Sequence, residues 1–277
     1  MVGRAVQAAG AFVAILSALS LIVERFETLS RFAAGIDRLH EFNAALQACA
    51  QAATGPAAAT QIEYSASPVL RLAHLSVLTP HHEHLLLQDL SLQVPPGEGL
   101  LIVGASGSGK SSLLRAIAGL WTTGSGRVQR PAGAELMFLP QQPYLTLGDL
   151  RSQLLYPHPE RQVSDAELLA LLEQVGLARL AERSGGLQAA QDWAKLLSVG
   201  EQQRLAFARV LLGKPRYVML DESTSALDAA NEARLYHQLA ERAITPISVS
   251  HRPALLPYHR QVLEFAGDGH WRLQPAQ

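Results

Sequence analysis

The run Gly104-Ala105-Ser106-Gly107-Ser108-Gly109-Lys110-Ser111 has the spacing G-x-x-x-x-G-K-S, whose chemistry is the cradling of a phosphate chain. Glycines let a short loop turn successive backbone N–H groups toward anionic oxygens, and a helix starting at the loop's end adds its positive pole. In such an arrangement Lys110 reaches the β and γ phosphates and the Ser111 hydroxyl faces a divalent cation. The flanks fit, because Leu100-Leu101-Ile102-Val103 reads as a buried strand and Ser111 to Leu120 has the apolar spacing of a helix packed on a sheet. A glycine-rich strand-to-helix turn without a ligand is the plain alternative, and the lysine and serine argue against it.

A second group of candidates lies downstream. In Tyr217-Val218-Met219-Leu220-Asp221-Glu222, four apolar residues end in two carboxylates, as in a buried strand that delivers acids to the edge where open α/β sheets place their ligands. Ser225-Ala226-Leu227-Asp228 follows at once, and a short apolar strand, Ile247-Ser248-Val249-Ser250, ends in His251. Upstream, Leu197-Ser198-Val199-Gly200-Glu201-Gln202-Gln203-Arg204 opens a helical run through Leu212, with Ser198 and Gly200 at its anion-favouring N-terminus. Solvated acids at a strand end and an isolated histidine are the alternatives to be weighed.

These residues, in this order, resemble the nucleotide-binding domain of an ATP-binding cassette (ABC) transporter. In that likeness Gly104 to Ser111 is the Walker A loop, Gln141 the Q-loop glutamine, Leu197 to Glu201 the signature, and Tyr217 to Asp221 the Walker B strand with Glu222 after it. Ser225 to Asp228 is then the D-loop and His251 the switch histidine. The resemblance runs from roughly Leu70 to the C-terminus. Gly119-Leu120-Trp121, Pro140-Gln141-Gln142-Pro143-Tyr144 and Asp192-Trp193 narrow it to the peroxisomal fatty-acyl half-transporters (subfamily D) and their bacterial relatives.

The resemblance implies an α/β fold, a P-loop NTPase of ABC type with a helical subdomain and an antiparallel β subdomain. It implies ATP and Mg²⁺ as ligands. Gly104, Ala105, Ser106, Gly107, Ser108, Gly109, Lys110, Ser111 and Ser112 would bind the phosphates, and Ser111, Gln141 and Asp221 would attend Mg²⁺. Glu222 would activate or align the attacking water, with Gln141 sensing it and His251 bonding the γ-phosphate. Ser198 and Gly200, with Glu201 and Asp228 also counted as nucleotide-binding, would complete a site formed with a second ABC ATPase domain, a homodimer being the simplest form. Two features depart from the family pattern. Val199 stands at the first signature glycine and Glu201 at its glutamine. The stretch Ser76-Val77-Leu78-Thr79-Pro80 also lacks the aromatic residue that usually stacks on adenine, leaving His81 or His82 as substitutes.

Composition bounds the remainder. At 277 residues with 48% hydrophobic residues, the chain has room for one large ATPase domain and an appendage. A net charge of −1 gives no basic footprint, which speaks against the ABC-type ATPases of DNA repair or translation and against nucleic acid as a partner. With Cys49 as the only cysteine, no internal disulfide can form.

The appendage is N-terminal. Ala5 to Val23 carries no charge, and a helix of that length matches the hydrocarbon core of a bilayer, so it is a candidate transmembrane span. A buried soluble helix and a signal peptide are the alternatives. Beyond Val23 the pattern becomes amphipathic, with Phe26, Leu29, Phe32, Ile36, Leu39 and Phe42 at steps of three and four. The expected organisation is a terminal membrane helix with its cytoplasmic extension over 1–51, a linker over 52–68, and the ABC ATPase domain over 69–277. It is that of the C-terminal piece of a longer half-transporter in the inner (plasma) membrane, its ATPase on the cytoplasmic side, with membrane-domain helices as partners. A soluble ABC-type ATPase, a transport-incompetent fragment and a non-catalytic assembly module are the rivals.

Within the ATPase region the spacing predicts a hairpin from Leu70–Val77 and Leu85–Val94, a strand from Gln129 to Leu139, and helices from Asp149 to Ala194, one opened by a capping box at Ser164 and stopped at Gly176. A terminal hairpin over Val262–Phe265 and His270–Leu273 turns at Asp268-Gly269. His81-His82-Glu83-His84 reads as a solvated turn rather than a metal site, since no second ligand set has zinc-like spacing.

Overall fold

The computed structural model describes residues 2–52, 61–80 and 84–276, which divide into a first unit up to Ala59 and a second from Thr60 onward. The described residues of the first unit form one helix, α1 (Val2–Ala52), about 77 Å long at 1.5 Å per residue. Phe12, Ile15, Phe26, Phe32 and Phe42 on it are exposed. Among the described residues no helix is long and apolar enough to cross a membrane. The expected span includes Ala5, Val6, Ala8, Ile22 and Val23, whose side chains lie outside the described set.

The second unit is built on two sheets. A four-stranded sheet has the order β1-β5-β2-β3, from β1 (Glu63–Ala66), β5 (Gly124–Arg130), β2 (Leu70–Leu78) and β3 (Leu85–Val94). A six-stranded sheet has the order β10-β9-β4-β8-β7-β6, from β10 (His270–Pro275), β9 (Gln261–Gly267), β4 (Leu100–Gly104), β8 (Thr245–Val249), β7 (Tyr217–Asp221) and β6 (Leu136–Leu139). The strands from β9 to β6 are parallel, and β10 closes the edge as an antiparallel hairpin with β9.

Strand periodicity makes this sheet a divider between two cores. Leu100 and Ile102 of β4, with Tyr217 and Met219 of β7, pack with the four-stranded sheet and with Leu113, Leu114 and Ile117 of α2 (Lys110–Ala118). Leu101, Val218 and Leu220 point the other way. There they meet α3 (Leu150–Leu155), α4 (Asp165–Gln174), α5 (Leu180–Ser184), α6 (Trp193–Leu196), α7 (Val199–Gly213) and α8 (Ala229–Glu241). A strand buried on both faces reads as an unbroken apolar run, which is the pattern of both β4 and β7.

The hairpin of β2 and β3, the capping box of Ser164 with Glu167, and the terminal hairpin lie where the sequence places them. Two readings need correction. Glu63–Ala66, assigned to the linker, is a strand paired in parallel with β5, Glu63 opposite Arg127. The single strand expected over Gln129–Leu139 is divided: Gly124–Arg130 belongs to the four-stranded sheet, and only Leu136–Leu139 leads to Gln141. Pro131, which has no N–H to donate, and a 3₁₀ turn over Gly133–Glu135 separate them.

One buried histidine gives the core a pH dependence. His259 donates from Nδ1 to the Leu255 carbonyl (2.7 Å), and its Nε2 accepts from the Ser248 hydroxyl (2.8 Å). Burial lowers its pKa from 6.5 to about 4. The folded protein therefore holds it neutral where the unfolded chain would bind a proton. Its stabilising contribution is complete above about pH 6.5 and is lost as pH falls toward 4, roughly 3 kcal/mol in all. Thermal unfolding followed between pH 7 and pH 4 is expected to show a falling midpoint, and His259→Gln should flatten that acid limb.

Candidate functional site

The phosphate loop runs from the C-terminal end of β4, between β8 and β9, into α2. At Gly104 φ is +142°, and an added Cβ would lie 2.7 Å from the Phe265 carbonyl oxygen of β9, so only glycine fits. Gly109, at φ +99°, caps α2 without a side chain and leaves the helix's first N–H groups to the loop. Lys110, buried in the first turn, donates to the carbonyls of Gly104 (2.8 Å) and Ala105 (2.6 Å). Burial pulls its pKa below the ordinary value, opposed by the carboxylates of Glu222 and Asp221.

Those carboxylates come from the end of β7, which pairs on either side with β6 and β8. Ser111 Oγ donates to Asp221 Oδ1 at 2.8 Å, joining residues 110 positions apart. Glu222 adopts φ +48°, the left-handed region that a glutamate rarely occupies, and its N–H donates to the Val249 carbonyl (3.2 Å). Gln141 Nε2 donates to Glu222 Oε2 (3.2 Å), and His251 Nε2 stands 3.9 Å from Glu222 Oε1. One sheet edge thus gathers an ammonium, a hydroxyl–carboxylate pair, and a carboxylate flanked by an amide and an imidazole. The hydroxyl and carboxylate of Ser111 and Asp221 are hard oxygen donors of the kind Mg²⁺ prefers.

The side chains of Ser198, Glu201 and Asp228 make their hydrogen bonds elsewhere, at the starts of α7 and α8. Ser198 caps α7 in a reciprocal box with Glu201: its Oγ accepts from Glu201 N (3.4 Å), and Glu201 Oε2 accepts from Ser198 N (2.9 Å). Arg183 donates to Glu201 Oε1 at 2.5 Å. Burial works against the charge of Glu201, yet the donors Ser198 and Arg183 hold its pKa below the usual carboxylate range. Asp228 caps α8, accepting from Asn231 N (2.8 Å), which lowers its pKa. Val199, at the first turn of α7, is 56% exposed, so this one of the two departures from the family signature lies at the surface of this chain.

Two buried residues were not singled out in the sequence. Gln203 Oε1 accepts from Ala226 N (3.1 Å), while its Nε2 lies 3.3 Å from Gln141 O and 3.4 Å from Ser225 Oγ, so α7, the Gln141 loop and the loop after Glu222 share one side chain. Arg209 donates to the carbonyls of Tyr144 and Gln153, both at 2.7 Å, and fixes the segment after Gln141; burial pushes its pKa down to about 10. Neither belongs to a local pattern.

Beside the loop a cavity of about 550 Å³ is lined by Thr79, His84, Leu85, Leu86, Gly107 and Ser108, with Asp268 and Gly269. The histidines named as substitutes for an aromatic base platform, His81 and His82, lie with Glu83 outside the described residues. No group of three or more His, Cys, Asp or Glu among the described residues could hold a metal ion.

Comparison with known proteins extends the picture. The family model described as ABC transporter matches residues 87–225. An uncharacterized ABC transporter ATP-binding protein of Synechocystis sp. is 47% identical over 277 residues, 99% of this chain and 42% of that protein. The chloroplastic ABC transporter D family member 2 of Arabidopsis thaliana is 36% identical over 338 residues, covering 97% of this chain and 48% of the relative. Among solved structures, a bacterial Atm1-family ABC exporter with ATP bound superposes with a TM-score of 0.64 at 27% identity, over 73% of this chain and 37% of that one. The chain spans less than half the length of these proteins.

Proposed function

Since the chain belongs to the ABC transporter family, we propose that it binds and hydrolyses ATP as the nucleotide-binding part of a half-transporter of the subfamily D type. Two such domains would work head to tail, beside membrane helices and on the cytoplasmic side of the inner membrane. The observation that carries this reading is the convergence of Lys110, the Ser111–Asp221 pair and the Gln141–Glu222–His251 cluster at one sheet edge.

Each residue's part follows from its place. The loop from Gly104 to Ser112 and the N-terminus of α2 bind the phosphates, with Lys110 exchanging its carbonyl contacts for β- and γ-phosphate oxygens. Ser111 and Asp221 are the residues that would hold Mg²⁺, which when bound supplies positive charge to the phosphate oxygens. Glu222 would orient a water and accept its proton, Gln141 holds that carboxylate through its amide, and His251, 3.9 Å from it, would donate toward the γ-phosphate. Ser198 and Gly200, far along the chain from the phosphate loop, serve the nucleotide of a second domain, together with Asp228 and Glu201.

Titration of the full chain with a fluorescent ATP analogue and Mg²⁺ tests the reading. Saturable binding that Lys110→Ala weakens by about tenfold or more is expected, the loss of one charged contact being worth at least about 1.4 kcal/mol. Binding without turnover in the unaltered chain would instead indicate an assembly module. Unchanged binding in the variant would remove the loop from the nucleotide site.

A further inference from the structure

Next to His251, the guanidinium of Arg252 reaches across to the loop that follows Glu222. Its Nη2 donates to the Ser225 carbonyl (2.8 Å), and its Nη1 donates to the Leu227 carbonyl (2.8 Å) and to Glu232 Oε2 (3.1 Å). The Glu232 side chain is only 2% exposed, and its other oxygen accepts from Thr224 Oγ1 at 2.6 Å. A buried carboxylate with two donors, both anchored in or bonded to the 224–227 loop, is a built contact and not a surface ion pair.

The geometry explains what this contact governs. The loops of Glu222 and His251 leave adjacent parallel strands, where Asp221 is in register with Val249. The sheet fixes only their roots. Farther out, Gln203 holds Ala226 on the side of α7, and Arg252 holds Ser225 and Leu227 on the side of His251. The 3.9 Å approach of His251 to Glu222 lies between the strand roots and this outer tie.

We propose that Arg252, with Glu232 as its buried counter-ion, is a positioning residue that locks the His251 loop and the Ser225–Leu227 loop into one unit and so sets the spacing of His251 and Glu222. The inference rests on the reading that these two residues attend the γ-phosphate. It extends that reading by making the outer end of the 224–227 loop report on His251.

Arg252→Lys and the double variant Arg252→Met with Glu232→Gln test it in the full chain. The first keeps a cation beside Glu232 but cannot fork to two carbonyls. The second removes both charges, so neither is left buried alone. Both variants are expected to fold, to lose kcat for ATP by roughly tenfold or more, and to keep KM within about twofold, because a positioning defect acts on the reacting geometry and not on ground-state binding. Hydrogen–deuterium exchange, which needs no turnover, is expected to speed up together in the segments 223–228 and 250–255. Exchange that rises in one segment alone, or kcat unchanged in folded variants, overturns the proposal. If Glu222→Gln also left turnover intact, the assignment of Glu222 would fail, while the joint change in exchange would still decide whether Arg252 couples the loops.

Discussion

In the Glu222→Gln variant, ATP turnover falls by roughly a hundredfold or more while nucleotide binding persists, a barrier increase of about 3 kcal/mol from loss of one positioned catalytic group. The substitution isolates chemistry from structure unusually well. Glutamine keeps the length of the side chain and an oxygen that can accept from Gln141 Nε2, so the 3.2 Å contact need not be lost. It makes the same demand on the backbone, since the left-handed φ of +48° strains any residue with a Cβ to a similar degree. What disappears is the negative charge and the capacity to accept a proton. Strain held at a single non-glycine residue is common where a side chain must be aimed, and here it turns the carboxylate away from the strand toward Gln141 and His251. Steady-state hydrolysis near the unaltered rate, in a folded variant, would take Glu222 out of the mechanism.

Legibility in the sequence followed the range of the interactions concerned. The β4 strand, its loop and α2 are contiguous, and their glycines, lysine and serine announce themselves by spacing alone. The capping box at Ser164 is equally local, closed within three residues. β1 was hidden because Glu-Tyr-Ser-Ala has no strand pattern of its own; its order comes from pairing with β5, more than sixty positions later, and from Tyr64 donating to the Ala116 carbonyl (2.8 Å). Gln203 and Arg252 were hidden for the same reason, because a glutamine in a polar run and an arginine before a proline gain meaning from partners 20 or more residues away, such as Ala226, Gln141, Glu232 and Leu227. The candidate site residues could be picked out as types in order, whereas the bonds that hold them at their distances could not.

Mixing Lys110→Ala chains with Ser198→Arg chains is expected to restore a fraction of the turnover that neither variant has alone. The expectation comes from the separation of the two groups in one chain: the hydrogen bonds of Ser198 go to Glu201, whereas Lys110 and Ser111 bond Gly104, Ala105 and Asp221. A helix N-terminus with an exposed Val199 beside it is available to an anion presented from outside the chain. In a head-to-tail pair, one mixed dimer arrangement concentrates both defects in a single site and leaves the other intact. Loss of the Ser198 cap costs only about 1 kcal/mol, too little to unfold a domain of ordinary stability, so the silence of that variant alone reports on the phosphate contact. Turnover should therefore peak at intermediate mixing ratios and vanish at either end. Flat, near-zero activity across all ratios, with mixed dimers shown to form, would mean that the α7 N-terminus does not complete a partner's site.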